Sequence, residues 1–437
     1  MNVTATRPGI LRDGHLGRIE PEALAARFGT PCFVYDLDVV STQVEAVRGV
    51  LPAPFDLAFA VKANPLLAVL RELAGMGIGA DVASGGELRH ALRAGFDPGR
   101  VILTGPGTRA DELVAAVDAG VRAVTVESVG ELRRLASIAQ SAGRVQAVLL
   151  RLSMSGRGGA ERIRIIGDDG AGKFGMDRAD LAIAAAEAVA SPWLEPVGLH
   201  AFGASNVLDA GALAGHVDAT IETAAALAHD AGFALQLVDA GGGLGIPYRA
   251  DEAPLDLAAF GARLAATARR LVTDPVSATT RVLLEPGRFL VGPAGAYIAR
   301  VTDRKRVDGV EVAILDGGIH HVLRPALVGQ EHRVVALTGA AAGHGGSGAV
   351  TLAGPLCTGL DILARGAPLA GLATGDLVAI LDVGAYGATE SMPFFLSHPL
   401  PAEVAIRDGR PWLARPRVEP ETWLGWQLDE PGDAPGS

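Results

Sequence analysis

Between residues 59 and 288 the chain alternates, eight times over, a short apolar run rich in β-branched residues with a longer Ala/Leu-rich stretch of helical period. A strand repeats every two residues and a helix every 3.6, so neither can replace the other without exposing core side chains. The strand candidates are FAVKA at 59, IGADVAS at 78, VILTGP at 101, AVTVES at 123, AVLLRLS at 147, PVGLHAFG at 196, LQLVDAGGG at 235 and RVLLEPGR at 281. The stretches between them, such as LAIAAAEAVA and IETAAALAHDAG, are built of strong helix formers and end at or near Gly or Pro. Eight such units predict a closed (β/α)8 TIM-like barrel, although a doubly wound open sheet shares the alternation. A barrel places its chemistry at the C-terminal ends of its strands. The unusual residues fall there: Lys62, Ser84, Thr104, Glu127, His200, Gly241 to Gly243, Glu285 and Arg288.

After about residue 295 the texture changes. YIARVTDRKRVDGVEVAIL, VTLAGPLCTGLDIL and DLVAILDVGAYG alternate without long helical stretches and predict a β domain of short strands. A chain of 437 residues exceeds one ordinary core, which agrees with two domains. The expected division is an N-terminal segment, 1–30, joining the β domain; a barrel over 31–290; the β domain over 291–425; and a disordered tail, 426–437. Two further stretches lack periodicity: the connection AAAGHGGSGA, where His344 reads as solvated, and the block SMSGRGGAERIRIIGDDGAGKFG after the fifth strand. A loop as long as the latter is usually functional or mobile, and Lys173 lies at its end.

The net charge of −11 argues against a broad grip on nucleic acid, which needs clustered Lys and Arg. No apolar run reaches the ~20 residues of a membrane span. The N-terminus lacks the basic-then-apolar pattern of an export signal, so a cytoplasmic protein is expected. Two cysteines, Cys32 and Cys357, indicate neither a zinc cluster nor a disulfide framework. His320 and His321 in GIHHVLRP, read as strand neighbours, point to opposite faces and cannot share one metal, so no metal site is expected.

Lys62 stands at the end of the first strand, just before an Asn-Pro break. Desolvation there would lower its pKa and expose an amine able to form a Schiff base. Taken alone, the more ordinary reading is that its long stem carries the ammonium out into water. DAGGGLG, Asp239 to Gly245, lets backbone N–H groups approach a phosphate, or simply forms a tight turn. It lacks the glycine spacing of a dinucleotide site, since Ile246 stands five residues after Gly241. EPGR, Glu285 to Arg288, ends the eighth strand, and barrel closure makes that strand the neighbour of the first. An amine, a phosphate cradle and a carboxylate at one mouth are the parts that hold pyridoxal 5′-phosphate.

The motifs AVKAN, GADVASGGEL, KFGMD, GGGLG, EPGR, GPLCTGLD and GAYG occur in one order over roughly residues 25 to 400. In this the chain resembles the fold-type III pyridoxal-phosphate decarboxylases, which include diaminopimelate, ornithine and arginine decarboxylases. The resemblance implies a barrel with a C-terminal β-sandwich or β-barrel domain, as in alanine racemase. It implies that Lys62 carries the cofactor, with Asp81 and Phe202 beside it. Glu285 would pair with the pyridine nitrogen, and Ser205, Gly242, Gly243, Gly287, Arg288 and Tyr386 would contact the phosphate. Racemases of similar fold favour a cation at that nitrogen, so Glu285 speaks for decarboxylation. The family also implies a head-to-tail homodimer with shared sites, in which Cys357 reaches the partner's site and either it or Lys62 returns a proton to the α-carbon. Cys32 matches no motif and reads as a small buried hydrophobe.

Three positions depart from the family. Thr358 follows the motif cysteine where diamino-acid decarboxylases carry an acid for the distal ammonium. Arg324 in RPALV stands where diaminopimelate enzymes bind a distal carboxylate, but Val328 replaces the usual tyrosine. Phe202 replaces the ring-stacking histidine, leaving His200 two residues earlier. Thr358 and Arg324 suggest a pocket for a substrate without a distal ammonium, with a distal carbonyl or carboxylate as the alternatives, and Arg288 is expected among the substrate contacts. Together the three departures resemble the subgroup acting on modified or carrier-protein-linked amino acids in natural-product and siderophore pathways. The alternatives are a diaminopimelate or other diamino-acid decarboxylase, a racemase or other pyridoxal-phosphate enzyme, and a non-catalytic decarboxylase-like binding protein. Retention of Lys62, Glu285, Cys357 and the glycines weighs against the last.

Overall fold

In the computed structural model, residues 9–154, 172–273, 277–342 and 348–427 are described, and they form two compact units. The first contains Val39–Gly292, the second residues up to Asp38 together with Pro293 onwards. Most of the block after the fifth barrel strand, the connection around His344, and the tail from 428 lie outside the described residues. Among the described residues no helix is long and apolar enough to cross a membrane.

The first unit is a closed barrel of eight parallel strands in sequential order: Phe55–Ala60, Gly79–Val82, Val101–Thr104, Ala123–Val126, Gln146–Arg151, Leu194–His200, Leu237–Asp239 and Arg281–Leu284. The open-sheet alternative is thereby excluded, because the eighth strand pairs with the first through Leu284 opposite Leu57. Ala58, Ile102, Ala123, Leu149, Leu237 and Leu283 pack together as one buried cluster. The helices between strands begin and end on local signals. Ser84 and Ser128 accept the backbone N–H of Glu87 and Glu131, satisfying first-turn donors that would otherwise be orphaned. Gly95, Gly120, Gly143 and Gly232 close their helices in the left-handed conformation.

In the second unit a mixed sheet is built on the long strand Gly295–Val307, which pairs with Cys32–Asp36, Val310–Leu315 and Leu377–Leu381. Cys32–Asp36 was expected inside the barrel domain. Instead it lies between Gly295–Val307 and Ala402–Arg407, its five residues all buried, so the division falls after Asp38. Cys32 is a free thiol with no exposure, and burial pushes its pKa up to about 12, which keeps it an inert apolar side chain.

The adjacent histidines correct a second expectation. His320 and His321 lie in a turn, not a strand, and their rings sit 3.7 Å apart. His321 is held by the Tyr297 hydroxyl at 2.8 Å and the Pro399 carbonyl at 3.1 Å. His320 is buried against His321 and His398, and burial, then the charge of His398, lowers its pKa to about 4. An unfolded chain takes up this proton near 6.5, so between pH 6.5 and 4 the unfolded state binds more protons and stability falls with falling pH. Urea midpoints at pH 7 and pH 5 should therefore separate in the wild type and draw closer in His320→Leu, the remaining gap coming from His321, whose pKa burial also lowers; an undiminished separation would show that His320 does not carry the effect.

Candidate active site

Lys62 does not belong to the first strand. That strand stops at Ala60, and Lys62 sits on the short 3-10 turn Val61–Ala63 that precedes the Asn64–Pro65 break. The turn lifts the side chain out of the barrel wall, leaving it 45% exposed, so the desolvation expected of a strand lysine is absent. What is buried is its partner. The Lys62 ammonium donates to Asp81 Oδ2 at 2.8 Å, and Asp81, on the second strand, is 1% exposed. Burial, then the neighbouring Glu285, raises the Asp81 pKa, while Lys62 and His200 act against the rise.

Glu285 lies one residue past the eighth strand and is 4% exposed. Burial pushes its pKa up, but His200, Lys62 and Asp239 together outweigh that and bring it down to about 2. The His200 ring nitrogen Nε2 is 3.7 Å from Glu285 Oε2. Asp239, at the end of the seventh strand, has no exposure and accepts the Gly241 N–H at 2.9 Å. One oxygen from each carboxylate and one His200 ring nitrogen lie within 4.8 Å of one another, so the three groups share one buried electrostatic environment.

The glycines act by close approach. A Cβ at Gly242 would stand 2.5 Å from the Glu285 carbonyl, while Gly241 and Gly243 take φ of +66° and +107°. Phe202 lies against Gly241, whose Cβ would meet its ring at 2.9 Å. Gly287 lets the eighth-strand loop close on the Lys62 turn, since a Cβ there would meet the Ala63 methyl at 2.9 Å. Arg288 donates to the Tyr248 hydroxyl at 2.7 Å and to Ser205 Oγ at 3.5 Å. The barrel thus gathers Lys62, Asp81, Phe202, Ser205, Gly242, Gly243, Glu285, Gly287 and Arg288 around the ends of its first, second, sixth, seventh and eighth strands.

Glu127 and Arg151 form a second buried grouping in the same unit, 2.5 Å apart, and Glu127 also accepts the Gly175 N–H at 2.9 Å. The Arg151 guanidinium and the Lys173 ammonium both face the Phe174 ring. This tethers the start of KFGMD; residues 155–171 before it lie outside the described residues.

The remaining expected residues belong to the second unit. Cys357 is an exposed free thiol and Thr358 is half-buried. Arg324 donates to Glu390 at 2.5 Å and to Gln330 at 2.9 Å, and faces the Tyr386 ring. Sequence reading missed Asp239, Tyr248 and Glu390. Asp239 had a visible signal, an acid closing the apolar run LQLV immediately before the glycines; Tyr248 and Glu390 had none.

The chemistry of this donor set suits pyridoxal 5′-phosphate. Glu285 is a buried carboxylate that His200 and Lys62 keep ionised, as pairing with a pyridinium N–H requires, and an amine and a glycine-lined turn flank it.

Comparison with known proteins agrees. The family description for the pyridoxal-binding domain of pyridoxal-dependent decarboxylases matches residues 37–292. A diaminopimelate decarboxylase from Zymomonas mobilis is 33% identical over 91% of this chain and 92% of its own. An L-glutamyl-(BtrI acyl-carrier protein) decarboxylase from Niallia circulans is 30% identical over 95% of this chain and 97% of its own. The crystal structure of diaminopimelate decarboxylase from Helicobacter pylori complexed with L-lysine superposes with a TM-score of 0.82 at 27% identity, covering 93% of this chain and 98% of that one.

Proposed function

Since this chain belongs to the pyridoxal-dependent decarboxylases, amino-acid carboxy-lyases that work with pyridoxal 5′-phosphate, we propose that its substrate is an amino acid ending in an uncharged group. An amide or a carrier-linked acyl group would fit. The observation that carries this reading is Arg324: its charge is already met by Glu390 and its Nε by the Gln330 carbonyl. A distal carboxylate would have to displace Glu390. A distal ammonium would find Thr358, a hydroxyl that cannot neutralise it.

In this reading Lys62 binds the cofactor's carbonyl carbon and Asp81 orients its amine. Glu285 takes the ring nitrogen, Phe202 the ring face, and Ser205, Gly242, Gly243, Gly287, Arg288 and Tyr386 the phosphate. When bound, pyridoxal phosphate withdraws the electrons left behind as CO2 departs. Lys62 or the partner subunit's Cys357 returns the proton to the α-carbon, so the working unit is a homodimer with shared sites. Arg288 and Thr358 complete the substrate pocket.

A second reading, diaminopimelate decarboxylase, is favoured by the names of several relatives. A CO2-release screen separates the two. The proposal expects glutamine, glutamyl amides or a glutamyl carrier protein to be turned over at least about tenfold more efficiently than meso-diaminopimelate, lysine or ornithine, the size of one unmet polar contact. Preference for meso-diaminopimelate would establish the second reading instead.

A further inference from the structure

Two buried carboxylates meet with too few protons between them. Asp239 Oδ1 accepts the Gly241 N–H, but its Oδ2 and the Glu285 Oε1 are both buried without a hydrogen-bond donor. Oxygens of these two groups lie within 4.8 Å of each other and of the His200 ring. If both were ionised, like charges would face each other in a site that water does not reach. A proton held by one of them would relieve that repulsion and supply the donor that both oxygens lack.

The surroundings decide which residue keeps it. Glu285 faces His200 and Lys62, which favour its ionised form. Asp239 faces Glu285 and Asp81, both acids, against which stand one backbone N–H, the His200 ring that it shares with Glu285, and the more distant charge of Arg122. We propose that Asp239 is a protonated carboxylic acid that donates its hydrogen bond to Glu285, making it a positioning residue behind the acid that meets the cofactor's ring nitrogen. Burial and the Glu285 charge raise the Asp239 pKa, in keeping with this assignment. A donor placed behind Glu285 fixes its orientation and holds it in the charged form needed to pair with a protonated ring. The inference rests on the proposed role of Glu285.

An isosteric neutral donor should serve as well as the protonated acid. In Asp239→Asn the amide N–H can donate to Glu285 while the amide oxygen still accepts from Gly241. The holoenzyme of D239N should keep cofactor affinity within about threefold of wild type, with the same pH dependence of its visible absorption. D239A, which leaves Glu285 without its donor, should weaken cofactor binding by about tenfold to a hundredfold, as for a lost hydrogen bond to a charged group. Infrared spectra of the cofactor-free wild type should show a carboxylic-acid carbonyl band at neutral pH that D239N lacks. The proposal is overturned if D239N falls as far as D239A, or if no such band exists. Should D239A fail to fold, the infrared band decides. Failure of the Glu285 assignment looks different: E285Q would then leave affinity and absorption unchanged, while the infrared band still reports on Asp239.

Discussion

Lys62→Ala should yield a folded protein that no longer holds pyridoxal phosphate covalently and has lost at least about a thousandfold in turnover, toward the upper range for a single positioned proton-transfer group. Folding should survive because Lys62 lies on a turn with a side chain 45% exposed, not in the barrel core. The loss has two sources: the amine that binds the cofactor's carbonyl carbon and a candidate proton donor to the product. Removing Lys62 also strips Asp81 of the ammonium that counters its burial, so Asp81 should take up a proton more readily in the variant. Visible absorption of wild type and variant after addition of pyridoxal phosphate, followed by borohydride trapping, provides the measurement. A variant that still traps cofactor at wild-type stoichiometry would remove Lys62 from the site.

For Glu285→Gln the expected result is a fall in kcat of about a hundredfold to a thousandfold, comparable to losing one preorganised electrostatic contact at a developing charge. KM should change much less, because the contact matters most when electrons flow into the ring. His200 and Lys62 outweigh burial and hold the Glu285 carboxyl below the usual carboxylate range, so in the wild type it is ionised at neutral pH and its charge does not produce an acid limb near neutrality. An acid limb nearer neutrality belongs to another group. The glutamine keeps the shape but removes the charge and replaces one acceptor oxygen by an NH2 donor, so nothing holds the ring nitrogen protonated. Steady-state kinetics with the ring-nitrogen protonation followed by 15N NMR of labelled cofactor would check it. Unchanged kcat would mean that the ring works without its acid, and the reading of Glu285 as the mark of a decarboxylase would fail.

Much of this is legible in the order of the residues alone. Eight alternations of strand and helix specify a barrel because periodicity is a property of consecutive residues. Closure of that barrel then brings Lys62 and Glu285 together, since the eighth strand must pair with the first. Gly242 and Gly287 were likewise readable from Pro-Gly and Gly-Gly punctuation, although what each glycine allows to approach was not. The structure alone decided where charge is compensated. Lys62 meets Asp81 from 19 residues away, His200 and Asp239 converge on Glu285 from the sixth and seventh strands, and Glu390 reaches back 66 residues to Arg324. No local pattern marks such pairs. Which side chains meet depends on strand register and on where turns such as Val61–Ala63 interrupt it, and electrostatic energy depends on separation in space, which the linear order of residues does not contain.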